Sequence, residues 1–191
     1  MRNSLIYCSL FAILSSCHAP QKQATELYNP ADSTNYILLA KPDSEGHVTR
    51  IETGKTTPAQ LLDFANTFIG TPYKFASTNP DEGFDCSGFI AHVFNHFNIA
   101  VPRSSVDFTW VHRAINIQNA KPGDLILFTG TDSTIHDVGH MGIITSNKAG
   151  QEPTFIHSTS GKANGVTETP LNEYYIKRYV KTIRIFPQND K

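Results

Sequence analysis

From Thr57 onward, apolar side chains recur at helical spacing. Ala59, Leu61, Leu62, Ala65, Phe68 and Ile69 fall mostly at intervals of three and four, which gathers them on one helix face. Thr57-Pro58 supplies the start: a hydroxyl that can cap free N–H groups, then a ring whose fixed φ suits the first turn. Gly70 and Pro72 supply the stop. A loop rich in Thr, Asn, Pro and Asp runs from Thr71 to Gly83. A second helix is predicted from Asp85 or Cys86, with Phe89, Ile90, Val93, Phe94 and Phe97 as its apolar face. A third, short helix is predicted after Pro102-Arg103-Ser104-Ser105. Then the period changes. Asp124-Leu125-Ile126-Leu127-Phe128 follows the turn signal Lys121-Pro122-Gly123. Met141 to Thr145, Thr154 to His157 and Val180 to Phe186 have the same apolar, β-branched character and are predicted strands. Helices first and strands afterwards predict an α+β fold, with helices packed on an antiparallel sheet.

The N-terminus follows a different pattern. Behind Arg2, Leu5 to Leu14 is a mostly apolar run too short to span a bilayer, as expected of the core of a secretory signal. It ends in Leu14-Ser15-Ser16-Cys17, which resembles the lipobox of bacterial lipoproteins. That resemblance implies that residues 1–16 are removed and that Cys17 becomes an acylated N-terminus, anchored by several chains where one would not hold. Residues 17–56, with Pro20, Pro30 and Pro42 and no sustained period, are expected to be a tether. Tyr36-Ile37-Leu38-Leu39-Ala40 within it is a short strand or a docking patch. Residues 57–187 are the expected globular domain.

Charge narrows the partners. The chain has 16 Lys and Arg against 17 Asp and Glu, a net charge of −1. No basic surplus or basic run suggests nucleic acid or a polybasic membrane surface. The protein is expected to be exported, held in the bacterial cell envelope through its lipid, and monomeric.

Of three cysteines, Cys8 lies in the apolar leader and Cys17 closes it. Cys86, in Phe84-Asp85-Cys86-Ser87-Gly88-Phe89, is left as a lone thiol without a disulfide partner. At a helix start its pKa is expected to fall, because free N–H groups and the helix dipole favour the thiolate. The same N–H groups would hold an oxyanion, and small Ser87-Gly88 would let a substrate backbone approach.

A nucleophilic thiol needs an imidazole, and the imidazole needs an orienter. Eight histidines compete. His18 and His47 lie in the expected tether, and His112 has no partner pattern. His92 and His96, four apart on the Cys86 helix, have metal-like spacing but no accompanying carboxylate motif, and read as surface or core-edge residues. His140 opens the strand His140-Met141-Gly142-Ile143, and His157 follows in the next strand. Adjacent antiparallel strands would bring them together, His140 as the general base and His157 as the group that holds its tautomer. His136, in the loop before His140, is a rival for the base. No metal and no cofactor are expected.

Six segments together resemble the NlpC-type family of papain-like bacterial cell-wall cysteine endopeptidases. They are Gly70-Thr71-Pro72-Tyr73, Phe84-Asp85-Cys86-Ser87-Gly88-Phe89, Pro102-Arg103-Ser104-Ser105, Pro122-Gly123-Asp124-Leu125, His140-Met141-Gly142-Ile143 and Ile156-His157. The resemblance implies Cys86 as nucleophile, His140 as base and His157 as third catalytic residue. It implies Tyr73 near the oxyanion, and Asp85 and Ser87 at positions that help hold substrate, including a free amine. The implied substrate is a peptidoglycan stem peptide cut between D-glutamate and a diamino acid. Alternatives are cleavage of diaminopimelate–D-alanine cross-links, or peptidoglycan binding without catalysis.

Overall fold

In the computed structural model, which describes residues 43–132 and 134–191, helices pack on a single six-stranded sheet. The strands are β1 (Ala114–Ile115), β2 (Leu125–Thr129), β3 (Val138–Ser146), β4 (Thr154–Thr159), β5 (Gly165–Pro170) and β6 (Tyr179–Ile183). They pair in the order β1-β6-β2-β3-β4-β5. Every pairing is antiparallel. The α+β expectation holds. Cys17, the leader and Tyr36 to Ala40 lie outside the described residues.

Helix α1 (Pro58–Asn66) starts where the sequence places its cap. The Gln60 N–H donates to Thr57 Oγ1 at 3.3 Å, and the Thr57 N–H donates to Gln60 Oε1 at 2.9 Å. Two orphan donors are thus satisfied reciprocally. Helix α2 (Cys86–His96) is capped by Asp85, whose carboxylate accepts from the Gly88 N–H at 2.5 Å. It ends on Asn98 at φ +57°, with the Ile99 N–H reaching back to the Phe94 carbonyl at 3.1 Å. Its apolar face, Phe89, Ile90, Val93 and Phe94, is fully buried.

Alternation along the strands makes two cores. Leu125, Leu127, Met141, Ile143 and Ile156 join the helix side, with Cys86 packed at its margin. Ile126, Phe128, Ile144 and Phe155 join Leu171 and Tyr175. The Pro122-to-Leu125 motif serves as scaffold. The fully buried Asp124 carboxylate accepts from Arg184 at 3.0 Å, from Asn189 at 3.1 Å and from the Lys121 N–H at 2.8 Å.

Four features depart from the sequence reading. Residues 47–53, assigned there to the tether, dock on the domain. Val48 and Ile51 are buried, the His112 N–H donates to the Thr49 carbonyl at 2.9 Å, and the His47 ring stacks on Trp110. Apolar burial outweighs the entropy of a free segment here, so the globular unit begins before Thr57. Strand β3 begins at Val138, which makes His140 its third residue rather than its first. The segment after Ser104 is a 3-10 helix, Ser105–Trp110. Strands β1 and β5 and the single-turn helix α3 (Glu173–Ile176) are additional.

Candidate active site

Cys86 is the first residue of α2, and α2 packs against β3 and β4. Two contacts hold this helix start in place. Ser158 Oγ on β4 donates to the Phe84 carbonyl at 2.7 Å. Gly88 passes so close to the loop before it that a Cβ there would stand 2.1 Å from the Ser77 carbonyl oxygen. Its lack of a side chain admits the chain's own loop, not the substrate backbone that the sequence suggested.

The thiol is not acidified. Burial, then the Asp85 carboxylate beside it, push Cys86 up to about 11, against the N–H groups of Ser87, Met141 and Cys86 itself. The expectation of a depressed pKa is therefore overturned. Desolvation and an adjacent anion outweigh the field of the helix start.

His140 and His157 meet. His140 Nε2 lies 2.7 Å from His157 Nδ1, and His157 Nε2 lies 3.0 Å from Thr169 Oγ1 on β5. Both rings are buried in an aromatic setting of Phe128, Phe155 and Tyr175. Burial pulls His140 well below its ordinary pKa, helped by His157 and the Arg178 guanidinium. Burial, and then Arg178, bring His157 down to about 3. Both rings are neutral at pH 7. The pair is close because Gly142, two residues on from His140, has no side chain. A Cβ there would lie 2.7 Å from the Phe155 ring, 2.8 Å from the Ile156 carbonyl oxygen and 3.2 Å from His157 Cβ.

Cys86, His140, Tyr73 and Thr169 line one cavity of about 1010 Å³. Tyr73 is pinned by backbone bonds on both sides: its N–H donates to the Asn164 carbonyl at 3.0 Å, and the Phe84 N–H donates to Pro72 at 3.0 Å. Burial, then the charges of Cys86 and Asp85, raise the Tyr73 pKa, so its hydroxyl keeps its proton.

Asp85 and Ser87 are placed differently. Neither is among the residues that line the cavity. Arg103 donates to Asp85 Oδ2 at 2.9 Å and to Ser87 Oγ at 3.0 Å. Ser87 Oγ is itself 3.2 Å from Asp85 Oδ1. Their polar atoms brace the helix start through Arg103.

The other histidines stand apart from Cys86. His96 stacks on Phe64 at 3.7 Å, and His92 packs edge-on against Phe68 at 4.9 Å. His112 and His136 are exposed. Among the described residues no group of three or more His, Cys, Asp or Glu side chains is arranged to hold a metal ion.

The sequence profile of the NlpC/P60 family matches residues 70–184, a span that runs from the Tyr73 motif to the end of the sheet. The chain belongs to the NlpC/P60 family. Its relatives include the gamma-DL-glutamyl hydrolase of Bacillus subtilis, 36% identical over 132 residues that cover 69% of this chain and 30% of that one. The murein DD-endopeptidase MepS/murein LD-carboxypeptidase of Escherichia coli is 24% identical over 182 residues, covering 93% of this chain and 88% of that one. The crystal structure of an NlpC/P60 family protein from Bacillus cereus superposes with a TM-score of 0.61 at 29% identity, covering 71% of this chain and 42% of that one. This chain thus spans under a third of the length of the Bacillus subtilis relative.

Two members of the site were not found by reading this NlpC/P60 sequence. Thr169 ends the His140–His157 chain, and Arg178 donates into the loop that flanks the cavity. Both come from segments whose structure the sequence did not signal, β5 and the turn after α3.

Proposed function

We propose that this protein is a cysteine endopeptidase that hydrolyses amide bonds in peptidoglycan stem peptides through a Cys86 thioester. The supporting observation is one cavity lined by Cys86 and by His140, whose Nε2 is engaged by His157. Engagement of Nε2 leaves Nδ1 as the nitrogen that serves the thiol. For Nδ1 to accept a proton, the His140 proton must sit on Nε2 and donate to His157 Nδ1. The His157 proton is then on Nε2, donating to Thr169 Oγ1. All three groups are satisfied in that one arrangement.

The resting pair is thiol and neutral imidazole. As Cys86 Sγ bonds to the scissile carbonyl carbon, its proton passes to His140 Nδ1, and the carbonyl oxygen takes the negative charge. The Cys86 N–H, with the Tyr73 hydroxyl beside it, stabilises that oxyanion. His140 then gives the proton to the leaving amine as the C–N bond breaks. Water attacks the thioester carbonyl as His140 takes its proton; the C–S bond then breaks, the proton returns to Cys86 Sγ, and the acid product leaves. His157 holds the ring and shares the charge it gains.

The scissile bond we favour is that between D-glutamate and the diamino acid, supported by a Bacillus cereus relative named gamma-D-glutamyl-L-lysine dipeptidyl-peptidase, 30% identical over 150 residues. The alternative, the diaminopimelate–D-alanine cross-link, is supported by the Escherichia coli relative, which is similar along nearly all of both chains. A soluble form starting at His18 should release fragments from purified muropeptides, read by mass spectrometry, and Cys86→Ala should release none while staying folded. The fragment masses separate the two bonds. A fully active Cys86→Ala variant would sink the mechanism, and a folded wild type that cuts nothing would leave a binding role.

The site of action we favour is the cell envelope, reached by a lipid on Cys17. No helix among the described residues is long and apolar enough to cross a membrane. Labelling with a fatty acid that disappears in Cys17→Ala tests the anchor. We take the protein to act as a monomer, which sedimentation of the soluble form tests.

A further inference from the structure

The cavity that holds Cys86 has a cationic lining. Lys162 and Arg178 line it, and no carboxylate does. Arg178 is partly buried in the turn between α3 and β6. Its Nε donates to the Gly130 carbonyl at 3.1 Å, its Nη2 to the Thr129 carbonyl at 2.7 Å and its Nη1 to Tyr174 Oη at 2.7 Å. The guanidinium carbon lies 5.0 Å from the centre of the Tyr174 ring and 5.8 Å from that of Tyr175. These neutral partners fix the plane of the guanidinium without cancelling its charge. Among the described residues Arg178 forms no ion pair, and the neighbouring acid, Glu173, is taken by Lys177 at 2.7 Å.

A partly desolvated cation without a counter-ion costs stability. A lysine or a neutral donor would tie down two carbonyls at less expense. Of the five guanidinium N–H donors, three are used, which leaves one on each terminal nitrogen. A rigid fork with free donors at both tips matches a carboxylate in geometry and charge.

We propose that Arg178, with Lys162 lining the same cavity, is a subsite for a substrate carboxylate, so that the preferred substrates are acidic peptides with an ionised carboxyl group close to the scissile amide. This rests on the cysteine-peptidase reading of the cavity and narrows its substrate class. It also links recognition to chemistry. After burial and His157, Arg178 is the remaining influence that keeps His140 unprotonated. A carboxylate seated on Arg178 cancels that charge beside the base, so the correct substrate makes His140 a better proton acceptor.

The test uses two probes: the tripeptide L-alanyl-γ-D-glutamyl-diaminopimelate, and the same peptide with every carboxylate converted to a carboxamide. Wild type should lose about 100-fold in kcat/KM on amidation, the size of a lost charge-assisted pair of hydrogen bonds. Arg178→Gln should lose a similar factor on the acid and less than about threefold on the amide, and Arg178→Lys should recover part of the loss. Equal losses on both peptides, or a wild type indifferent to amidation, would overturn the subsite. Calorimetric binding to Cys86→Ala separates this from the peptidase reading. If wild type cuts neither peptide but Cys86→Ala binds the acid at least tenfold tighter than the amide, and loses that preference with Arg178→Gln while Arg178→Lys keeps part of it, the subsite stands and the peptidase reading falls. Equal binding of the two probes overturns the subsite, whatever is cut. Should Arg178→Gln not fold, Arg178→Lys carries the comparison.

Discussion

His140 Nε2 and His157 Nδ1 lie 2.7 Å apart across neighbouring strands, and the bond passes on to Thr169 at 3.0 Å. A ring anchored at one nitrogen presents the other in a fixed direction. The Thr169 hydroxyl can accept the His157 proton, which is compatible with the tautomer proposed for His140.

Removing links from this chain should give graded losses. His140→Ala should fall to the level of Cys86→Ala. His157→Ala should lose about 100-fold in kcat with little change in KM, since proton transfer rather than binding is damaged. Thr169→Val should lose about tenfold, the worth of one net hydrogen bond. Steady-state kinetics on one peptide ranks the three variants, and an inactive Thr169→Val beside an active His157→Ala would contradict the order.

The buried neutral rings make the fold acid-sensitive. Unfolding lets each imidazole recover its ordinary value near 6.5, so the unfolded chain binds protons that the folded one refuses. Stability from this source is complete above pH 6.5 and is lost as pH falls toward about 3. At about 1.4 kcal/mol per pH unit, His157 alone accounts for roughly 3 kcal/mol between pH 7 and pH 4. Urea unfolding across that range should reveal the slope, and His157→Gln should flatten it.

The thiol sets the pH profile of reactivity on the alkaline side. With Cys86 at about 11, alkylation of the free enzyme by iodoacetamide should climb about tenfold per pH unit from neutrality, without a plateau below pH 10. Burial is the largest cause of this rise and Asp85 the next, so Asp85→Asn should lower the midpoint. A plateau already reached at pH 7 would mean a resting thiolate–imidazolium pair instead.

Gly142 sets the separation of the two rings. A methyl group there meets the Ile156 carbonyl, which is backbone and yields little, besides the Phe155 ring. Gly142→Ala should cost about 1–3 kcal/mol, the range for overpacking a filled core. It should lower kcat more than an equally destabilising change in the helix-side core, because it shifts the strand that carries His157.

Legibility from sequence followed how local each cause is. Helix α1 was legible because Thr57 and Gln60 satisfy each other within one turn, and α2 because Asp85 caps its own helix. Cys86, His140 and His157 were legible because each sits in a short, patterned segment. Strand β5 was not, since Thr167-Glu168-Thr169 is polar and runs half-exposed along the sheet edge. Thr169 and Arg178 owe their roles to bonds that cross 12 and 48 positions, and no local pattern announces such bonds. The Cys86 pKa failed for the same reason. The field of a helix start is local, whereas burial is a property of the finished fold.

The segment before Thr57 gives a last test, of where the domain begins. Val48 and Ile51 are 2% and 5% exposed, and burying two such side chains is worth roughly 3–5 kcal/mol. The bond from the His112 N–H to the Thr49 carbonyl ties this segment to the stretch just after the 3-10 helix. A chain beginning at Thr57 should therefore be less stable than one beginning at Asp43 by several kcal/mol, read as a lower midpoint in urea unfolding. Val48→Ala with Ile51→Ala in the longer chain should reproduce most of that loss. Equal stability of the two chains would return residues 43–56 to the tether, and would mean that their burial adds nothing to the fold that carries Cys86.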